Sequence, residues 1–235
     1  MSELIRLTKR LAQTGKYSRH EADKLVSQGR VYVNGVVAVP GTKVPLTGEK
    51  IVVYGMPLGE KSDTIYKFHK PLNVLSSYSD PNGKRNLSSF PELAKMKMGY
   101  AGRLDYNSEG LMLFTASGDI VYRIQRKEFE VEKEYLVDTD SDITENWIKR
   151  LQAGIADDGE QFLPCKVCRI DANRYKVILT EGKKRQVRRM FGAAGAKVMR
   201  LVRIRICNIM LDGLPEGELI PLTDKEIKEL MKCIK

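Results

Sequence analysis

From residue 64 onward the apolar residues fall in short strand-like runs. These are "TIYKFHK" (64–70), "LMLFT" (111–115), "EKEYLVDT" (132–139), "RYKVILT" (174–180) and an alternating stretch at 197–211. Helical patterns come between them at irregular intervals. A strict strand–helix alternation would predict a parallel sheet wrapped by helices. Its absence predicts an α+β domain with a mixed, mostly antiparallel sheet flanked by helices. The helical patterns are Ile120, Val121 and Ile124 after a capping Ser117; Ile143 to Leu151 around Trp147; 183–194 with Val187, Met190, Phe191 and Ala194, ending at Gly195; and "LTDKEIKELMKCI" capped by Thr223 or Asp224. Residues 72–98 read as turns and loops.

The first third of the chain follows a different pattern. Leu4, Ile5, Leu7 and Leu11 give a loose helical stripe ended by Gly15. Ser18 and Glu21 form a capping box for a second helix that buries Ala22, Leu25 and Val26. "RVYVNGVVAV" is a hairpin around Asn34-Gly35, and "EKIVVYG" is a further strand. The polar, Gly/Pro-bearing "MPLGEKSD" follows. The expected organisation is a small module at 1–56 with two helices and a small sheet, a linker at 57–63, and a larger domain at 64–235.

Charge narrows the partner. The formal net charge is +10, which favours a polyanion. Residues 1–62 carry ten Lys+Arg against five Asp+Glu, and residues 183–205 carry nine basic residues and no acidic one. Two basic surfaces are expected. No apolar run is long enough to span a bilayer, and "MSELIRLTKRLAQTG" has no secretion pattern, so a cytoplasmic protein with no membrane partner is expected. The four cysteines are expected to be reduced thiols. Cys165 and Cys168 alone make a poor zinc site, and on a strand they point to opposite faces.

The missing motifs exclude several chemistries. There is no H-E-x-x-H, no G-x-x-x-x-G-K and no G-x-G-x-x-G, and "YNSEG" carries Tyr106 where a G-x-S-x-G elbow has glycine. His69 has no carboxylate or serine nearby in sequence and reads as structural. Neither a metal nor a cofactor is expected. Any catalysis must then draw on carboxylate, arginine, lysine and tyrosine. Asp105, in "GRLDYNSEGLMLFT", follows a glycine turn and precedes a buried strand. It is a surface ion-pair partner, a general base or a nucleophile. Arg188, beside the apolar stripe of the 183–194 helix, is placed to hold it ionised.

"HKPLNVLSS", "GRLDYNSEGLMLFT", "KEYLV" and "LTEGKKRQVRRM", in this order and spacing, resemble the RNA pseudouridine synthases of the RsuA/RluB/RluE/RluF class. Residues 4–54 are similar to a small RNA-binding module also found in a ribosomal protein. The resemblance implies an isomerase that converts uridine to pseudouridine in ribosomal RNA, with the large-subunit RNA favoured, acting without a cofactor as a monomer on free RNA or a pre-ribosomal particle. It implies Asp105 as nucleophile, Tyr135 stacked on the flipped uracil, and Arg188 paired with the aspartate. Arg103, Lys133, Leu179, Lys70, Asn73, Arg185 and Arg189 become substrate contacts. Arg6, Lys9, Arg10, Arg19, Lys24 and Arg30 become RNA contacts of the module. Two positions depart from the family pattern: Asn73 where many members have glycine, and Tyr106-Asn107 in the aspartate loop. The competing reading is a non-catalytic RNA-binding ribosome-assembly factor, in which Asp105 is dispensable. A DNA-binding regulator is a third, with no dimer seam in the sequence to support it.

Overall fold

The computed structural model describes residues 4–14, 17–46, 48–58, 64–96 and 98–234. The expected helix end at Gly15 and residues 59–63 of the expected linker lie outside them. In order, the first part holds β1 (Leu4–Arg6), α1 (Leu7–Ala12), α2 (Arg19–Ser27), β2 (Val31–Val33), β3 (Val36–Val37), β4 (Lys43–Pro45), β5 (Ile51–Val53) and β6 (Met56–Pro57). The Ser18–Glu21 capping box forms in both directions, at 2.7 and 3.1 Å. The Asn-Gly hairpin forms with both turn residues at positive φ, 50° and 84°, as a two-residue turn of this hand requires. The expected helical stripe is corrected at its start. Leu4 and Ile5 are adjacent, one exposed and one buried, which is a strand alternation, and they pair with Pro45 and Val44. Leu7, Leu11, Ala22, Leu25, Val26, Val31 and Ile51 share a core of their own.

The rest runs β7 (Ile65–Lys70), α3 (Pro91–Met96), β8 (Gly99–Ala101), β9 (Glu109–Thr115), α4 (Gly118–Gln125), β10 (Lys133–Thr139), α5 (Glu145–Ala153), β11 (Ala156–Asp157), β12 (Glu160–Gln161), β13 (Lys166–Asp171), β14 (Arg174–Leu179), α6 (Gln186–Ala193), β15 (Val198–Ile206), β16 (Ile209–Met210), β17 (Leu219–Pro221) and α7 (Asp224–Cys233). One nine-stranded sheet has the order β13-β14-β10-β15-β9-β7-β17, with β16 on β15 and β8 on β9. Its pairings are antiparallel except for β15 with β9. β9 is buried along its whole length: Met112 and Phe114 enter one core, Leu111 and Leu113 the other. A strand covered on both faces reads as a continuous apolar run, which explains "GLMLF".

The parallel join has a steric condition. A Cβ at Gly110 would lie 2.3 Å from the Arg203 carbonyl oxygen, a distance no side chain tolerates. Glycine at 110 therefore lets the two central strands meet.

Other expectations need correction. Ser117 flanks α4, but its side chain makes no cap bond. The helix expected at 183–194 begins only at Gln186, because Arg185 has a φ of 54°. Within 72–98, α3 begins at Pro91; at six residues it is too short to show a period, although proline at the first helical position is a start signal. Cys168 is exposed, while Cys207 and Cys233 are joined as a disulfide with a Cα–Cα distance of 6.3 Å. The expectation of four thiols fails because the β15–β16 turn packs against the end of α7, across 26 residues of sequence.

Candidate active site

β8 and β9 are joined by residues 102–108, the loop that carries Asp105. Nearly every residue of this loop is tied. Arg203 donates through Nη2 to the Gly102 carbonyl at 2.7 Å and through Nε to the Leu111 carbonyl, also at 2.7 Å. Ser76 is buried; its hydroxyl donates to the Leu104 carbonyl (2.7 Å) and accepts the Leu104 N–H (3.1 Å). The Asn73 N–H donates to the Tyr106 carbonyl at 2.9 Å, and the Ser108 N–H to that of Asp105 at 3.1 Å. Arg188 donates to the Asn107 carbonyl at 2.5 Å and to Val198 at 2.7 Å, and Arg185 reaches the Asn107 side chain at 3.3 Å.

The loop opens onto a cavity of about 780 Å³ whose walls include Arg103, Asp105, Lys133, Tyr135, Leu179, Arg185 and Arg203. The sheet register explains this grouping. Lys133 lies opposite Leu179 across the β10–β14 pair. Tyr135 lies opposite Arg203 on the other side of β10, and Arg203 lies opposite Gly110 on β9. Positions two apart on a strand share a face, so Lys133 and Tyr135 point the same way. Arg203 thus sits between the tyrosine strand and the aspartate strand, and it is 1% exposed.

The cavity wall is cationic. Burial, then the Arg203 charge, pushes Lys133 from 10.5 down to about 8, with its ammonium donating to the Val131 carbonyl at 2.9 Å. Burial also pushes Lys70 down to about 8, opposed by the carboxylates of Glu109 and Asp105 and helped by Arg203. Burial and then Arg185 draw Arg188 below the ordinary guanidinium range, and Asp105 pushes it back. The Asp105 charge is therefore felt at both Lys70 and Arg188.

Four expected contacts are placed differently. Arg188 makes no ion pair with Asp105 among the described residues; its fork is taken up by the Asn107 and Val198 carbonyls, and it acts on the aspartate at longer range. Lys70 is fully buried and donates to the Pro71 carbonyl at 2.8 Å, behind the cavity rather than on its wall. Asn73 is a brace of the aspartate loop; its φ of 57° accounts for an asparagine where glycine is common, since Asn tolerates this region best after Gly. Arg189 is held by Asp157 and Glu160 on the β11–β12 hairpin, at 2.6 and 2.5 Å, away from the cavity.

Four of the nine cations in the run 183–205, Arg189 included, are likewise neutralised by acids from distant sequence. Arg200 pairs with Glu109, Arg205 with Glu132 and Glu134, and Lys183 with Glu160. In the N-terminal part, Arg6 and Lys24 line one groove of about 480 Å³. Lys9, Arg19 and Arg30 are exposed and Arg10 is half-buried, all four outside it.

Sequence reasoning missed Arg203 and Ser76. Arg203 had no local signal: it and Arg205 are two apart on β15, yet only Arg203 is buried and so needs internal partners. Among the described residues no group of three or more His, Cys, Asp or Glu could hold a metal ion, and no helix is long and apolar enough to cross a membrane.

The chain is similar to known proteins over nearly its whole length. Residues 64–193 match the RNA pseudouridylate synthase family, and residues 5–51 match the S4 domain. The chain is 37% identical over 234 residues to the dual-specificity RNA pseudouridine synthase RluF of Escherichia coli K12, covering 98% of this chain and 79% of the relative. It is 31% identical over 233 residues to the ribosomal large subunit pseudouridine synthase B of Bacillus subtilis strain 168, covering 96% and 95%. A solved pseudouridylate synthase superposes with a TM-score of 0.69 at 31% identity, covering 96% of this chain and 99% of the other. The aspartate loop, the strand tyrosine and the cationic wall thus lie within a match that extends over nearly the full length, and the chain belongs to the RNA pseudouridylate synthase family.

Proposed function

We propose that this enzyme isomerises uridine in ribosomal RNA, preferentially that of the large subunit, with Asp105 as the nucleophile acting on a flipped-out nucleotide. One observation carries the reading: Asp105 shares a nucleotide-sized cavity with Tyr135 and with the buried cations Lys133 and Arg203. In the reaction the bond from ribose C1′ to uracil N1 breaks with its electron pair on the base. The base turns, C5 bonds to C1′, the C5 proton leaves and N1 takes a proton. The aspartate has three routes: attack on the sugar, addition to the ring, or removal of the ribose 2′-proton. All three place negative charge on the uracil. A preorganised cationic wall stabilises that charge whichever route is used, and in a water-poor site it acts at close to full strength. Stacking on Tyr135 contributes roughly 1–3 kcal/mol toward extruding the base.

Residues 1–56 act as the RNA-binding module and 64–235 as the catalytic domain, in a cytoplasmic monomer acting on free rRNA or a pre-ribosomal particle. The preference for large-subunit RNA is supported by the likeness of "KEYLV" and the "CNIMLDGLPEGE" tail to large-subunit members, and by a relative named for that subunit. The test is tritium release from C5-labelled uridine in rRNA taken from cells lacking the protein, followed by pseudouridine mapping of the two subunits' RNAs. Release without added nucleotide, restored at one large-subunit position, is the expected result. Full wild-type binding with no release would instead favour the assembly-factor reading.

A further inference from the structure

Beside the Asp105 cavity lies a second groove of about 390 Å³, whose lining includes Asn107, Arg185, Arg188, Gly192, Gly195 and Lys197. Arg185 lines both spaces, so the Arg185–Asn107 hydrogen bond forms a low wall between them. The lining holds three cations and no acid. While Arg189, Arg200 and Arg205 are neutralised by carboxylates, Arg185, Arg188 and Lys197 form no ion pair among the described residues. Arg188 is anchored by two carbonyls, so its charge is fixed in place. The Lys197 side chain is exposed; among the described residues the only carboxylate that feels its charge is Asp140, outside the groove lining, which accepts the Lys197 backbone N–H at 2.9 Å.

Gly192 adds an independent argument. It sits inside α6 with no positive φ, and a Cβ there would meet nothing within 4 Å. Neither backbone conformation nor protein packing requires glycine, yet alanine would make a better helix by about 1 kcal/mol. Gly118 likewise sits in a helix with nothing within 4 Å, but Gly192 also lines the groove, so the open space above it belongs to that groove.

We propose that this groove is an RNA phosphodiester subsite, holding the backbone next to the flipped nucleotide as the strand leaves the active cavity over the Arg185–Asn107 wall. The inference rests on the RNA-modifying role above and adds the path of the strand. The test is fluorescence-anisotropy binding of a labelled 12-mer of oligouridylate to the full-length protein across a salt series. Lys197→Glu and Gly192→Glu are each expected to weaken binding about 10-fold at low salt, with Lys197→Glu lowering the steepness of log K against log salt by about 1. Lys149→Glu, on exposed α5, should change affinity less than about twofold. Gly192→Ala should raise Tm while binding no more tightly, which separates filling of the groove from loss of fold. Groove variants that bind like Lys149→Glu overturn the subsite. If wild-type protein makes pseudouridine while they do so, the subsite falls and the function stands. If wild-type makes none while groove variants still lose affinity, the function falls and the subsite stands.

Discussion

The aspartate loop and the groove of the N-terminal module, both proposed above to face RNA, are built in opposite ways. Between Gly102 and Ser108 the backbone is bonded to Ser76, Asn73, Arg188 and Arg203, most of them buried or half-buried. Arg6 and Lys24 stand exposed on short elements around an open groove. The difference follows from what each must do. A reacting carboxylate misplaced by about 1 Å can cost about 100-fold in rate, so its support is dense. A phosphate contact depends mainly on charge and tolerates mobile side chains. One region spends its residues on geometry, the other on potential.

Mutations should separate the two regions. Asp105→Asn is the most severe test. It removes the anion while keeping shape, and the expected loss of tritium release is at least about 1,000-fold with RNA affinity and Tm unchanged. Arg203→Lys comes next. A lysine keeps the charge but cannot span the Gly102 and Leu111 carbonyls, so kcat should drop about 100-fold with KM little altered. A change in KM alone would make Arg203 a substrate contact rather than a positioning residue. Ser76→Ala leaves the Leu104 N–H and carbonyl unpaired, for a loss of about 1–3 kcal/mol by denaturant unfolding and a smaller kcat decrease than at Arg203. Arg6→Glu should do the reverse: RNA affinity weakens about 10-fold with a shallower salt dependence, while the single-turnover rate at saturating RNA stays at the wild-type value.

The smallest expected effect is a pH dependence. Lys133 ionises near 10.5 when unfolded and about 8 when folded, so between these values the native state binds fewer protons and stability rises with pH. Below pH 8 the cost of burying the charge applies in full. Lys133→Met should reduce the climb in Tm between pH 8 and 10.5, and Lys70, shifted the same way, keeps part of it. An unaltered climb would show that Lys133 is not a buried cation.

The main strands, the Asn34-Gly35 hairpin and the Ser18–Glu21 capping box were legible, because each depends on a local period, a turn dipeptide or a cap spacing, and the residues marked by the family resemblance, Asp105, Tyr135, Lys133 and Leu179, line one cavity. The sequence did not show which arginines were already taken. Arg188, Arg189 and Arg203 look alike in a basic run, yet one braces a loop, one is locked to Asp157 and Glu160, and one is buried between two strands. Apart from the Val198 carbonyl, ten residues from Arg188, their partners lie between 29 and 101 residues away, and only the fold brings them together. The brace made by Asn73 was hidden for the same reason: it rests on a positive φ and a backbone N–H that reaches the Tyr106 carbonyl.

The central claim is that the Asp105 loop is held in place before RNA arrives. Amide hydrogen exchange on the RNA-free protein tests it most directly. Slow exchange at Leu104 and Ser108, with the Leu104 protection lost in Ser76→Ala, is the predicted result. Exchange at both amides as fast as at exposed Asn82 would contradict it.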